Sequence, residues 1–195
     1  MDARLIAWAR RVKRGALPTL WLFTDPARMP DLPVLIRGLP PGLCGVVFRH
    51  DGAPGRAALA AAIAKLCRGR RIALVLAGDI TLASRLRAGI HLRGGRWPGR
   101  ARLPAGWIVT ASVHSAAELS QSRRAGARIV FISPVFPTRS HPGAAGLGPH
   151  RFRALARLAA PAKAYALGGV DGHSVRQLGK FCAGAGAIDA FLGSK

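Results

Sequence analysis

Eight short apolar runs recur along the chain, at residues 20–24, 45–49, 72–77, 89–93, 107–112, 128–133, 164–168 and 187–191. They are nearly continuous in hydrophobicity and lack the polar–apolar alternation of a half-exposed sheet, which is the pattern of parallel strands covered on both faces. Stretches with helical spacing lie between most of them, at 56–67, 80–87, 115–125, 150–159 and 172–182, with a weaker one at 31–38 bracketed by Pro33 and Gly38. Strands that alternate with helices imply crossover connections. The expected fold is therefore α/β, a small (β/α)8 TIM barrel, and a doubly wound open sheet is the other arrangement of the same elements. The segment 93–106 carries two prolines and four glycines, so the helix due there is expected to be short or missing.

Ahead of the first run, residues 2–14 place Leu5, Trp8, Ala9 and Val12 on one face of an amphipathic helix with a basic opposite face. Residues 1–18 are expected to form an N-terminal helical extension, and 19–195 the barrel. A chain of 195 residues suits one domain with a core large enough to need no staples. The three cysteines, Cys44, Cys67 and Cys182, are widely spaced and form no zinc or CxxC pattern, which argues for a reducing, cytoplasmic setting. No apolar run is long enough to span a membrane.

Thirty basic residues, 25 of them arginine, face eight acidic ones, for a net charge of +22. This excess is either a compositional habit spread over a solvated surface or an attraction for anions. No helix-turn-helix, RNP or finger pattern accompanies it, and aromatic residues make up only 6%, so no specific nucleic-acid partner is expected.

The ends of the strand runs carry the chemistry. They read Thr24-Asp25, Arg49-His50-Asp51, Gly78-Asp79, His91-Leu92-Arg93, Ser112-Val113-His114, Ser133, Gly168-Gly169 and Asp189. In a parallel barrel these positions form one ring around one pocket. Gly168-Gly169 either makes a plain tight turn or lets backbone amides approach an anion, and Gly169→Val is predicted to weaken phosphate binding in a folded protein. The loop 133–148 offers Thr138, Arg139, Ser140 and His141. His114 stands just before a helix, where it either caps that helix or acts as an acid–base group, since imidazoles exchange protons near neutral pH. Asp79 is either a pocket carboxylate or the N-cap of helix 80–87.

The stretch Ala111-Ser112-Val113-His114-Ser115, then Ser133-Pro134-Val135-Phe136-Pro137-Thr138, then Gly168-Gly169-Val170, resembles the thiamine phosphate synthase and thiazole tautomerase (TenI) superfamily over about residues 20–192. The resemblance implies a (β/α)8 barrel in thiamine biosynthesis. It also implies one of two chemistries. The synthase joins a hydroxymethylpyrimidine diphosphate to a thiazole phosphate with Mg²⁺. The tautomerase moves a proton on a thiazole carboxylate phosphate without a metal.

The match is uneven. Arg49 occupies the arginine of the synthase pattern Q-x-R-x-K, but Val47 and Asp51 replace its Gln and Lys. Asp79 matches the metal-binding Asp of the N-D pair, with Gly78 before it, and Arg96 stands at the second metal carboxylate. His141 replaces the lysine that ends the P-x-F-P-T motif, and Ile188-Asp189-Ala190-Phe191 lacks the family's serine. The thiazole-phosphate side keeps Thr138, Gly168 and Gly169, and His114 matches the proton-transfer histidine of the tautomerase. The resemblance therefore implies His114 as catalytic residue and Arg49, Ser112, Thr138, Gly168 and Gly169 as substrate or phosphate ligands. Asp79 would hold Mg²⁺ only in a synthase, and no cofactor is expected otherwise. A phosphate-ligand binder without turnover is the third possibility.

Overall fold

The computed structural model describes residues 1–95, 106–140, 143 and 145–192. After α1 (Ala3–Val12), eight strands alternate with helical segments: β1 (Leu20–Phe23), α2 (Leu32–Arg37), β2 (Cys44–Phe48), α3 (Arg56–Gly69), β3 (Ala73–Ala77), α4 (Ile80–Arg85), β4 (Gly89–Leu92), β5 (Val109–Val113), α5 (Ala116–Arg124), β6 (Ile129–Ile132), α6 (Gly148–Leu158), β7 (Lys163–Leu167), β8 (Gly184–Ala187) and α7 (Asp189–Leu192). All neighbouring strands are parallel, and β8 closes on β1. The fold is a (β/α)8 barrel.

Each strand buries both faces, which is why the runs look unbroken. Trp21, Phe23, Val47, Val75, Ile129, Phe131 and Tyr165 fill the barrel interior. Their chain neighbours, such as Leu20, Leu22, Val46 and Leu74, pack outward beneath the helices. The interior is aromatic: Phe131 meets Trp21, Phe23 and Tyr165 edge-on, with ring centroids 6.1, 4.8 and 5.6 Å apart. Pro33 does not weaken α2, because it lies in the first turn, where no N–H is needed and Asp31 caps the helix.

The last strand differs from the sequence reading. It is Gly184–Ala187, and Asp189–Leu192, expected as strand, forms a helical turn instead. A Cβ at Gly186 would come within 2.6 Å of the Phe23 ring, and one at Gly184 within 2.4 Å of the Thr19 carbonyl oxygen and 2.6 Å of Tyr165. The large rings of β1 and β7 fill the space that side chains of β8 would occupy, so this strand carries glycine where the others carry bulk. Gly186→Val is expected to cost about 1–3 kcal/mol by overpacking, read as a lowered Tm in thermal unfolding. The segment expected as helix 172–182 is a 3-10 stretch, Ser174–Phe181, broken at Gly179 with φ +71°. Between β4 and β5 only a 3-10 turn, Arg93–Gly95, falls among the described residues.

Helix α1 packs Leu5, Trp8 and Ala9 into the core. Asp2 anchors it: its N–H donates to the Ala190 carbonyl at 2.7 Å, and its carboxylate accepts from the amides of Leu5 (3.0 Å) and Gly172 (2.7 Å). The extension thereby braces the loops after β7 and β8. Cys44, Cys67 and Cys182 are free and buried, and burial pushes each thiol up to about 12. No described helix is long and apolar enough to cross a membrane.

Candidate active site at the carboxyl end of the barrel

Two adjoining lobes lie at the carboxyl ends of the strands and share a wall formed by Phe23, Arg49, Ser133 and Leu167. One lobe, of about 340 Å³, is lined by Thr138, Ser140, Gly168, Gly169, Asp171 and Asp189. The other, of about 420 Å³, is lined by Asp25, His91, Arg93, Ser112 and His114.

In the first lobe the glycines are required by packing. Gly168 and Gly169 have φ of +88° and +62°. A Cβ on Gly168 would meet Pro134 at 2.8 Å, and one on Gly169 would meet the Pro137 carbonyl oxygen at 2.3 Å. The amide of Val135 donates to the Leu167 carbonyl (2.9 Å) and that of Phe136 to the Gly168 carbonyl (3.0 Å), so the β6 loop lies directly on this turn. Among the described residues, the amides of Gly169 and Val170 have no backbone acceptor. Both residues and Thr138 line this lobe. The tight packing corrects the expectation for Gly169→Val, which cannot spare the local fold. The variant is expected to lower both Tm and phosphate affinity, as thermal unfolding and calorimetry on the same preparation would show.

In the second lobe, His114 lies just beyond β5 and is exposed. Its Nδ1 stands 2.7 Å from the Ser133 carbonyl oxygen. A carbonyl only accepts, so Nδ1 carries the hydrogen, and in the neutral ring Nε2 is the free acceptor. The His114 amide donates to Glu118 Oε2 at 2.7 Å, while Ser115 Oγ accepts from the Glu118 amide at 3.2 Å. The N-cap of α5 is therefore Ser115, and the imidazole is not used as a cap.

Ser112 Oγ lies 2.9 Å from His91 Nε2, and His91 Nδ1 lies 2.8 Å from Thr110 Oγ1. His91 is buried against the edge of Phe23, and burial, with Arg49 nearby, pushes its pKa down to about 3. It is a neutral structural group beneath the pocket.

Arg49 bridges the two lobes. Its Nε donates to the Thr24 carbonyl at 3.1 Å, and its guanidinium lies 5.4 Å from the Phe23 ring centroid. Among the described residues its Nη1 and Nη2 donate to no protein acceptor, which leaves a forked donor facing the cavity. Burial lowers its pKa, with Asp25 opposing. For Asp25, partial burial disfavours the charge, but hydrogen bonds and the charge of Arg28 outweigh this and hold the carboxyl below its usual range.

Asp79 does not reach either lobe. Its Oδ1 accepts from the Leu82 amide at 2.9 Å as N-cap of α4, and its Oδ2 accepts from Arg56 at 2.6 Å. The Leu82 bond, then Arg56, lowers its pKa against the opposing effect of burial. Asp51, at the synthase lysine position, is paired with Arg93 and lies 3.6 Å from Arg56. Magnesium needs oxygen ligands free to turn toward it. Here both oxygens of Asp79, the metal carboxylate of the synthase pattern that falls among the described residues, are committed to Arg56 and the Leu82 amide. These residues do not fit a Mg²⁺ site, and no cluster of three or more ligating side chains exists among the described residues. Arg96 and His141 lie outside the described residues.

The sequence reading missed Arg28. It donates to Asp25, Ser140 and Asp189 across the pocket rim. The one available signal was its place four residues after Thr24, inside a strand-end loop.

The architecture defines the class: a parallel (β/α)8 barrel with a polar pocket on the strand-end face where this fold carries its chemistry. A sequence model of the thiamine monophosphate synthase family, TMP-TENI, matches residues 24–188, and the chain belongs to that family, which serves thiamine biosynthesis. A curated relative, the thiamine-phosphate synthase of Chromobacterium violaceum, is 36% identical over 118 residues. That match covers 57% of this chain and 55% of the relative, about half of its length. The thiamine phosphate pyrophosphorylase from Pyrococcus furiosus superposes with a TM-score of 0.72 at 22% identity, covering 91% of this chain and 88% of that one. FabK from Thermotoga maritima shares the barrel at 13% identity and a TM-score of 0.66, covering 90% and 59%. At these identities both structural likenesses speak for the fold alone.

Proposed function

We propose that the protein binds a thiazole phosphate across the two lobes and catalyses metal-independent proton transfer on it, as a thiazole tautomerase. In this reading the amides of Gly169 and Val170 and the Thr138 hydroxyl hold the phosphate. Gly168 supplies the turn. Arg49 meets the thiazole carboxylate, and Ser112, steadied by His91, lines the ring site. His114 Nε2 takes a proton from carbon; the electron pair of that C–H bond moves into the ring system, and the proton returns at a second ring position. The observation that carries the proposal is the Nδ1–H bond of His114 to the Ser133 carbonyl, which leaves Nε2 as a base beside the shared wall.

A second reading, a divergent thiamine phosphate synthase, is favoured by the identity of the curated relative. It runs against the engaged carboxylate of Asp79 and against Asp51 standing where the synthase has a lysine. Purified protein assayed with and without Mg²⁺ separates the two. Solvent deuterium entering a thiazole carboxylate phosphate without metal supports the tautomerase, and efficient Mg²⁺-dependent thiamine phosphate formation overturns it. Phosphate binding with neither activity would place the protein among ligand binders.

A further inference from the structure

An arginine at the rim of an anion pocket invites the reading that it binds the anion. Arg28 is spent otherwise. Its Nε and Nη2 donate to Asp25 Oδ2 at 2.9 and 2.8 Å, Nη2 also donates to Ser140 Oγ at 2.8 Å, and Nη1 donates to Asp189 Oδ1 at 3.3 Å. Four of the five guanidinium hydrogens are thereby used. These partners lie on three separate segments: the loop after β1, the loop after β6, and the first residue of α7 just past β8. Two carboxylates neutralise the single cation, so Arg28 offers no net charge to a ligand.

Asp189, Ser140 and Thr138 all line the lobe that holds Gly168 and Gly169. The Ser140 amide points toward Thr138 Oγ1 at 3.4 Å, so fixing Ser140 also fixes the hydroxyl of Thr138. The side chain of Arg28 is 22% exposed, which screens its pairs only in part.

We propose that Arg28 is a positioning residue that ties the loops after β1, β6 and β8 together, setting Thr138 and Ser140 around the anion lobe and shielding a bound anion from Asp25 and Asp189. The part concerning affinity rests on the phosphate reading of that lobe; the tying of the loops does not. Losing Arg28 has two consequences. Thr138 and Ser140 lose their fixed distance from the glycine turn, and two carboxylates are left uncompensated beside an anion site. Lysine, a single point charge with no planar fork, restores the second function and not the first.

Two measurements test this. In ligand-free protein, hydrogen exchange is followed in the peptide spanning residues 133–140; Arg28→Ala and Arg28→Lys are both expected to raise its exchange about tenfold, the loss of a charge-assisted hydrogen bond, with peptides from β2 and β3 unchanged. Calorimetric titration with inorganic phosphate is expected to show affinity reduced about 10- to 100-fold in Arg28→Ala, with a smaller loss in Arg28→Lys and partial recovery in Arg28→Ala/Asp189→Asn. Unchanged exchange in both single variants overturns the tying of the loops. Unchanged phosphate affinity in Arg28→Ala overturns the shielding. Wild-type protein that binds no phosphate overturns the phosphate reading of the lobe, while the exchange data still decide the role of Arg28 in the rim.

Discussion

Replacing His114 with asparagine is expected to slow solvent deuterium incorporation into a thiazole carboxylate phosphate by about 10²-fold or more, the usual contribution of general acid–base catalysis. Binding should stay within a few-fold. The asparagine side chain keeps an N–H that can donate to the Ser133 carbonyl, as Nδ1 does now at 2.7 Å. The Glu118 bond to the backbone amide of residue 114 does not depend on the side chain. What the amide lacks is a basic nitrogen in place of Nε2. NMR of the thiazole phosphate in D₂O, with wild type and variant compared at saturating ligand, reads the difference. Equal rates would remove His114 from the mechanism, and no exchange in the wild type would remove the tautomerase reading itself.

The second large effect is on stability in acid. In the unfolded chain the His91 imidazole takes up a proton as the pH falls through its ordinary value of 6.5; in the folded barrel, burial and then Arg49 keep it neutral down to about 3. Between those values the unfolded state binds one more proton, so acid favours unfolding. His91 costs nothing above pH 6.5 and removes about 1.4 kcal/mol per pH unit below it, or ~3 kcal/mol by pH 4. The imidazole is fully buried between Thr110, Ser112 and the aromatic rings, so solvent does not screen this effect. His91→Gln keeps hydrogen-bonding capacity without titrating. Urea unfolding at several pH values should show a variant somewhat less stable than wild type at pH 7 but with a much shallower fall between pH 6.5 and 4. A remaining slope is expected from His50, whose pKa burial also lowers. Asp25, Asp79 and Asp171, with carboxyls held below their usual range, contribute in the same direction only at lower pH. Parallel curves for wild type and variant would mean that His91 is not buried neutral.

How much of this was legible in the sequence varies with how local the cause is. Seven of the eight strands were readable because burial on two faces demands unbroken apolar runs, and Leu20–Phe23 or Ile129–Ile132 can hardly be read otherwise. The eighth was not, because Gly184 and Gly186 exist to admit Tyr165 and Phe23, and a strand defined by its neighbours' bulk has no hydrophobic signature of its own. The ring of strand-end residues was legible in the same way, since the fold places Arg49, Ser112, His114, Thr138 and the Gly168-Gly169 pair at one end of the barrel.

Residue type and order along the chain therefore determined the barrel, its polar face and the family, because these depend on periodicity and on motifs that lie within a few residues. The tertiary structure decided what each polar group is free to do. Asp79 could be read from the sequence as a pocket carboxylate or as a helix cap; the structure makes it the cap, with the Leu82 amide on one oxygen and Arg56, from the preceding helix, on the other. Arg28 was unremarked until the loops of three strands met around it. His114 gained a defined tautomer only from a carbonyl 19 residues away. Hydrogen bonds act over about 3 Å in space and without regard to separation along the chain, so the availability of a donor or a carboxylate becomes known only once the barrel has closed.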